Sequence, residues 1–210
     1  VADGMGGHKA GEYASSQAIA LAKREIASDT GSEPVQIINQ GITAANKSIY
    51  EEATQDEDKY GMGTTMVVAT LLEDHLCVAN VGDSRLYVYR DGQLSQITQD
   101  HSVVGEMVRK GEMPKEEARS HPKRNLITRA VGAEAEVRVD FFDETLQAGD
   151  LVLMCTDGLT SMAEESEIEE VLAGSGQVAD KVAKLVDLAN DHGGKDNITV
   201  IVIEPFSDEV

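Results

Sequence analysis

Three short segments each set an aspartate beside a glycine turn and an apolar run. They are Val1-Ala2-Asp3-Gly4-Met5-Gly6-Gly7, Leu151-Val152-Leu153-Met154-Cys155-Thr156-Asp157-Gly158, and Gly193-Gly194-Lys195-Asp196-Asn197 leading into Ile198 to Ile203. Asp and Gly are ordinary turn residues, so each segment taken alone is first of all a turn. As a set they form a candidate metal site. The apolar run leads into Asp3 and Asp157 and leaves Asp196, so antiparallel neighbours would bring the three carboxylates to one end of a sheet. Only oxygen donors gather at these turns, with no His-x-x-x-His and no paired cysteine. That favours a hard cation, Mg²⁺ or Mn²⁺, over Zn²⁺. Two ions held by a shared carboxylate lower the pKa of a bridging water, position it for in-line attack and neutralise phosphoryl oxygens, which points to phosphate chemistry. Glycine next to these aspartates lets backbone carbonyls and waters approach closely.

The elements that must carry these turns follow from periodicity. Tyr13, Ala14, Ala18, Ile19, Leu21, Ala22 and Ile26 recur at helical spacing, and Ser28-Asp29-Thr30-Gly31 stops that helix. A second helix is expected from about Val35, with Ile38, Ile42, Ala45 and Ile49 on one face, fading into the acidic stretch 51–58 and pairing with the first. From Gly61 the period becomes that of strands, over Thr64 to Leu72, Leu76 to Val81, Leu86 to Tyr89 and Leu94 to Ile97. Glu73-Asp74 and Asp91-Gly92 stand at hairpin spacing, which predicts one antiparallel meander. Residues 101–125 are charged, contain Gly105, Gly111, Pro114 and Pro122, and read as helical turns within an excursion. Strands resume at Val137 to Phe142 and Leu151 to Thr156, helices at about Glu164 to Leu172 and Val178 to Ala189, and a last strand at Ile198 to Ile203. Helices before and after blocks of antiparallel strands imply a layered α+β sandwich.

Composition bounds the partners. The 210 residues suffice for one large domain with a real core, and no Pro/Ser-rich linker or internal repeat divides them. With 18 basic and 38 acidic residues the net charge is −20, which argues against a phosphate-backbone binder and suits a surface that attracts cations. Cys77 and Cys155 both lie in apolar strand-like runs and read as buried thiols of a reducing compartment. No signal peptide and no membrane-length apolar run is visible.

Seven segments in order carry a resemblance: Asp3-Gly4-Met5-Gly6-Gly7-His8, Gly61-Met62-Gly63-Thr64-Thr65, Val81-Gly82-Asp83-Ser84-Arg85, Thr98-Gln99-Asp100-His101-Ser102, Leu126-Ile127-Thr128-Arg129-Ala130-Val131-Gly132, Cys155-Thr156-Asp157-Gly158-Leu159 and Lys195-Asp196-Asn197-Ile198-Thr199. Together they resemble the metal-dependent Ser/Thr protein phosphatases of type 2C, the PPM family, in their bacterial form. The resemblance spans essentially the whole chain and implies one catalytic domain over 1–210. It implies a four-layer α-β-β-α sandwich with two central antiparallel sheets and a flap at about 101–125, whose alternative reading is a solvated loop. Asp3 then matches the carboxylate that bridges two catalytic ions, and Gly4 the residue whose carbonyl binds one of them. Asp157 and Asp196 match the remaining protein ligands of the other ion. Asp100, by its surroundings a loop-start residue, matches a ligand of a third ion with Asp157 shared. Asp83 reads either as a further ligand or as a turn residue between strands.

The resemblance further implies hydrolysis of phosphoserine and phosphothreonine by a water bridging two Mg²⁺ or Mn²⁺ ions, without a phosphoenzyme. The partners it implies are phosphorylated proteins, the Ser/Thr kinases of the same cell and their substrates; the acidic charge argues against nucleic acid, and the buried cysteines fit the reducing cytoplasm. The family begins with strands carrying an arginine that holds the substrate phosphate and an acidic segment supplying another metal ligand. This chain starts at Val1 within the first motif, so such an upstream segment is expected, and without it a phosphatase-like regulatory or binding module is the alternative. Met5 stands where eukaryotic members place a histidine acid. His8 nearby reads either as an aid to leaving-group protonation or as a structural histidine.

Overall fold

Alanines spaced along one face let two long helices approach closely. In the computed structural model, which describes residues 1–28 and 33–206 apart from the side chain of His8, these are α1 (His8–Ser28) and α2 (Pro34–Gln55), preceded by β1 (Gly4–Met5). Then come β2 (Gly63–Thr64), β3 (Met66–Leu72), β4 (His75–Val81), β5 (Arg85–Arg90) and β6 (Gln93–Gln96). They are followed by α3 (Val103–Arg109), α4 (Lys115–Ala118), β7 (Asp140–Thr145) and β8 (Leu151–Cys155). The chain closes with α5 (Asp157–Thr160), α6 (Glu165–Ala173), α7 (Val178–Asp191) and β9 (Val200–Ile203). Residues 29–31 of the expected helix stop, and the side chain of His8, lie outside the described residues. The chain is α+β with antiparallel sheets, and it divides into two compact units.

The first unit comprises Val1–Thr70, Cys77–Ser84 and Gln99–Phe142. Its core joins Ala14, Ala18 and Ala22 of α1 to Ile38, Ile42 and Ile49 of α2 and to Met66, Ala79 and Val81 from the strands. A Cβ at Gly41 would stand 3.1 Å from the Ala22 carbonyl oxygen, so the two helix backbones approach closely there. Each fully buried isoleucine contributes about 1.5–3 kcal/mol. β1 pairs antiparallel with β2, Gly4 opposite Thr64 and Met5 opposite Gly63. The chain before β1 continues the pairing, since the Val1 amine donates to the Val67 carbonyl and the Val67 N–H to the Val1 carbonyl, each at 2.9 Å.

The second unit comprises Leu71–Leu76, Arg85–Thr98 and Asp143–Val210, of which residues up to 206 are described. Its sheet runs β6-β5-β8-β9, antiparallel throughout, with Leu86 opposite Met154 and Leu153 opposite Val202. Every residue of β8 is buried, and Leu153 and Cys155 meet Ile168 and Leu172 of α6 and Leu185 and Ala189 of α7 in one core. The buried Lys181 ammonium donates to the carbonyls of Leu172 and Gly174, satisfying acceptors that the end of α6 leaves open.

The strands of 66–96 are two hairpins in two different sheets rather than one meander, because β3 and β4 join β7 while β5 and β6 join β8. The break falls at Gly82, whose φ of +103° and whose approach to the Thr65 side chain, 2.7 Å from a would-be Cβ, exclude any larger residue. The expected strand over 137–142 forms later, at Asp140–Thr145. The excursion over 101–125 contains α3 and α4, and α5 is a short helix that begins on Asp157 itself.

Candidate metal centre

Asp3 sits at the end of extended chain and is held by the Gly-Thr-Thr segment. Its N–H donates to the Thr65 hydroxyl at 2.9 Å, and its carbonyl accepts from the Thr65 N–H at 2.8 Å and the Thr64 hydroxyl at 2.9 Å. The buried Thr65 and Ser84 hydroxyls share a further bond of 2.7 Å. The peptide on both sides of Asp3 is therefore fixed, and its side chain is half-buried. Gly4 follows where a Cβ would come within 1.9 Å of the Gly11 carbonyl oxygen, so the turn into α1 requires glycine.

Asp100 belongs to the same unit and lies in a loop that His101 anchors. The His101 N–H donates to the Gly82 carbonyl at 2.9 Å, and its carbonyl accepts from the Thr128 N–H at 2.7 Å. The Gly82 N–H donates to His101 Nδ1 at 3.0 Å, so the ring proton sits on Nε2 and points to Asp140 Oδ2, 3.0 Å away. Burial pushes the His101 pKa down, helped by the Arg129 and Arg109 charges, against the opposing pull of Asp140. At Asp140 burial alone would raise the pKa, but bonds from His101 and Arg129 outweigh it and hold the carboxyl below its usual range. Arg109 donates to the Asp100 carbonyl at 2.7 Å, tying α3 back to the loop it leaves. Asp83 occupies the bend between β4 and β5, the turn position of its two readings.

In the second unit the turns of Asp157 and Asp196 are brought side by side. Cys155 pairs with Val200, and beyond that pair the Thr156 N–H donates to the Thr199 carbonyl at 3.1 Å. The Thr156 hydroxyl donates to the Asn197 carbonyl at 3.2 Å and accepts from the Thr199 N–H at 3.1 Å. A Cβ at Gly158 would lie 2.1 Å from the Asn197 carbonyl oxygen, so only glycine allows this approach. Asp157 is half-buried at the start of α5, and Asp196 is exposed with Oδ1 accepting from the Asn197 N–H at 2.8 Å.

Among the described residues no three His, Cys, Asp or Glu side chains stand close enough to hold a metal by themselves. The donors these residues offer are nonetheless all oxygens, on turns that require glycine at Gly4 and Gly158, and they fit Mg²⁺ or Mn²⁺ in chemical type. Sequence reasoning gave no role to Thr64, Thr65, Ser84, His101 or Thr156, although all five lie inside the quoted motifs. Each acts through a partner remote in the chain, so the motif itself was the only signal. No helix among the described residues is long and apolar enough to cross a membrane. Cys77 and Cys155 are buried thiols, not a disulfide.

Residues 1–107 match the protein phosphatase 2C family. The chain is 43% identical over 208 residues to the serine/threonine phosphatase Stp of Listeria monocytogenes, covering 97% of this chain and 82% of that protein. It is similar to the crystal structure of the serine/threonine phosphatase Stp1 of Staphylococcus aureus, with a TM-score of 0.93 and 38% identity over 98% of this chain and 82% of that one. A further similar structure, with a TM-score of 0.85 and 36% identity over 96% and 84% of the two chains, is the catalytic domain of the protein phosphatase PstP in complex with two manganese ions. With half of its length matching the family and a curated relative alike along nearly all of it, the chain belongs to the metal-dependent protein phosphatase 2C family of Ser/Thr phosphatases.

Proposed function

We propose that the chain works as one catalytic domain that hydrolyses phosphoserine and phosphothreonine in proteins, with Asp3, the Gly4 carbonyl, Asp157 and Asp196 as its ligands to two divalent ions. The observation that carries this reading is the contact of the Asp157-Gly158 and Asp196-Asn197 turns, which sets two carboxylate-bearing segments against each other at a distance only glycine permits. When bound, the ions supply Lewis acidity, acidifying the attacking water and neutralising charge on the phosphoryl oxygens. The chain's own part is to hold the ligands still. Thr64 and Thr65 clamp the Asp3 peptide, and Thr156 ties the Asp157 and Asp196 segments together. Asp100, fixed from behind by His101 and Arg109, is the ligand of a third ion.

Mn²⁺ and Mg²⁺ both suit these donors, and the reading extends to Ser/Thr kinases and their substrates as cytoplasmic partners. A family fold, two buried thiols and an acidic surface support it. The test is phosphate release from phosphothreonine, phosphoserine and phosphotyrosine peptides with Mn²⁺, with Mg²⁺ and with EDTA. Metal-dependent release confined to the first two peptides is expected. Absence of release with either ion would reject turnover and leave a phosphatase-like binding module.

A further inference from the structure

A groove of about 400 Å³ opens in the first unit, lined by Met5, by Ile127–Ala130, by Ala133 and Glu134, and by Glu136–Arg138. Met5 stands two residues past Asp3 in extended chain, so their side chains share one face about 7 Å apart. The wall beside Met5 is closely built, since a Cβ at Gly63 would lie 3.1 Å from the Met5 methyl and 3.7 Å from the Ala130 Cβ. Met5, Ala130 and Val137 give the groove an apolar floor.

Its charges are unevenly committed. Arg129 and Arg138 both reach Asp140 Oδ1, at 2.9 and 3.3 Å; the Arg129 side chain is half-buried in this contact, whereas that of Arg138 remains exposed. Glu134 and Glu136 are exposed on the rim and face solvent. Two arginines and two glutamates line the groove, and Asp140 behind it, which both arginines reach, adds a third carboxylate, in a chain of net charge −20. A side chain with an apolar stem and a cationic head fits both the floor and the rim.

We infer that this groove is a substrate subsite that receives a lysine or arginine flanking the phosphorylated residue, its stem on Met5, Ala130 and Val137 and its charge at Glu134 and Glu136. The inference rests on the phosphatase reading of Asp3. Such a subsite selects among phosphoproteins by the residues next to the phosphate. It contributes nothing to a substrate that has no flanking residues.

The test measures kcat/KM with Mn²⁺ on phosphothreonine peptides carrying Lys or Glu at each of the two positions on either side, with p-nitrophenyl phosphate as the reference. At one position at least, the Lys peptide is expected to be favoured by about fivefold or more. In the Glu134→Gln, Glu136→Gln double variant that preference falls to about twofold or less, while p-nitrophenyl phosphate turnover is unchanged. A preference for the Glu peptide, or a Lys preference that survives in the double variant, would overturn the subsite. If neither the peptides nor p-nitrophenyl phosphate are hydrolysed, it is the phosphatase reading that fails. The subsite is then judged by fluorescence anisotropy of labelled Lys and Glu peptides, where equal binding by wild type and double variant overturns it.

Discussion

The Thr65 hydroxyl accepts the Asp3 amide proton and touches Ser84, so the orientation of Asp3 depends on a side chain 62 residues away. Replacing it by the isosteric valine leaves the Asp3 N–H without its acceptor, and supports of this kind carry about tenfold or more in metal affinity. Calorimetric titration of Thr65→Val with Mn²⁺ is expected to show affinity weakened by about tenfold, and Thr65→Ser is expected to restore it. Equal affinity in the valine variant would show that Asp3 needs no such support. At this scale the sequence was legible where chemistry is local. An aspartate beside a glycine turn is visible in a few residues, and the turns of Asp3, Asp157 and Asp196 do carry the close backbone approaches that glycine implies at Gly4 and Gly158. The support was not legible, because Thr65 acts on Asp3, Thr156 on Asn197 and His101 on Asp140 across distances that only the folded chain closes.

Among the elements, the β7–β8 turn is fixed to the end of β5 by one arginine. Arg90 donates to both oxygens of the buried Asp150, to Glu144 and to the Thr145 carbonyl. Arg90 holds the Asp150 carboxyl below its usual range, helped by the Gln147 N–H and against the cost of burial. The unfolded chain therefore takes up a proton at Asp150 more readily than the folded one. The stability this pair contributes is complete above the ordinary carboxylate pKa of about 4, and is lost as pH falls through the depressed value. Asp150→Asn is expected to cost about 1.5–3 kcal/mol at neutral pH and to flatten the decline in melting temperature on acidification. Thermal melts followed by circular dichroism between about pH 7 and 3 compare the two slopes, and parallel curves would refute the linkage. Periodicity located the long helices well, since α1 and α2 bury the alanine and isoleucine faces that the sequence displays. It also located the hairpin turns, where Glu73, Asp91 and Gly92 take positive φ. It missed the division of the hairpins between two sheets, because the deciding contact is Gly82 against Thr65 rather than anything periodic.

For the whole molecule, a net charge of −20 favours the approach of divalent cations. Family membership, with a curated relative alike over nearly the whole chain, accounts for the motif order along it. The proposed holding of the ions by Asp157 and Asp196, with Asp3, is the feature on which hydrolysis depends. It is tested most directly by measuring Mn²⁺ binding and phosphothreonine-peptide hydrolysis together in wild type and in Asp157→Ala. The variant is expected to stay folded, to bind Mn²⁺ far more weakly and to lose at least about a hundredfold in hydrolysis. A folded Asp157→Ala protein with wild-type Mn²⁺ affinity and turnover would contradict this role.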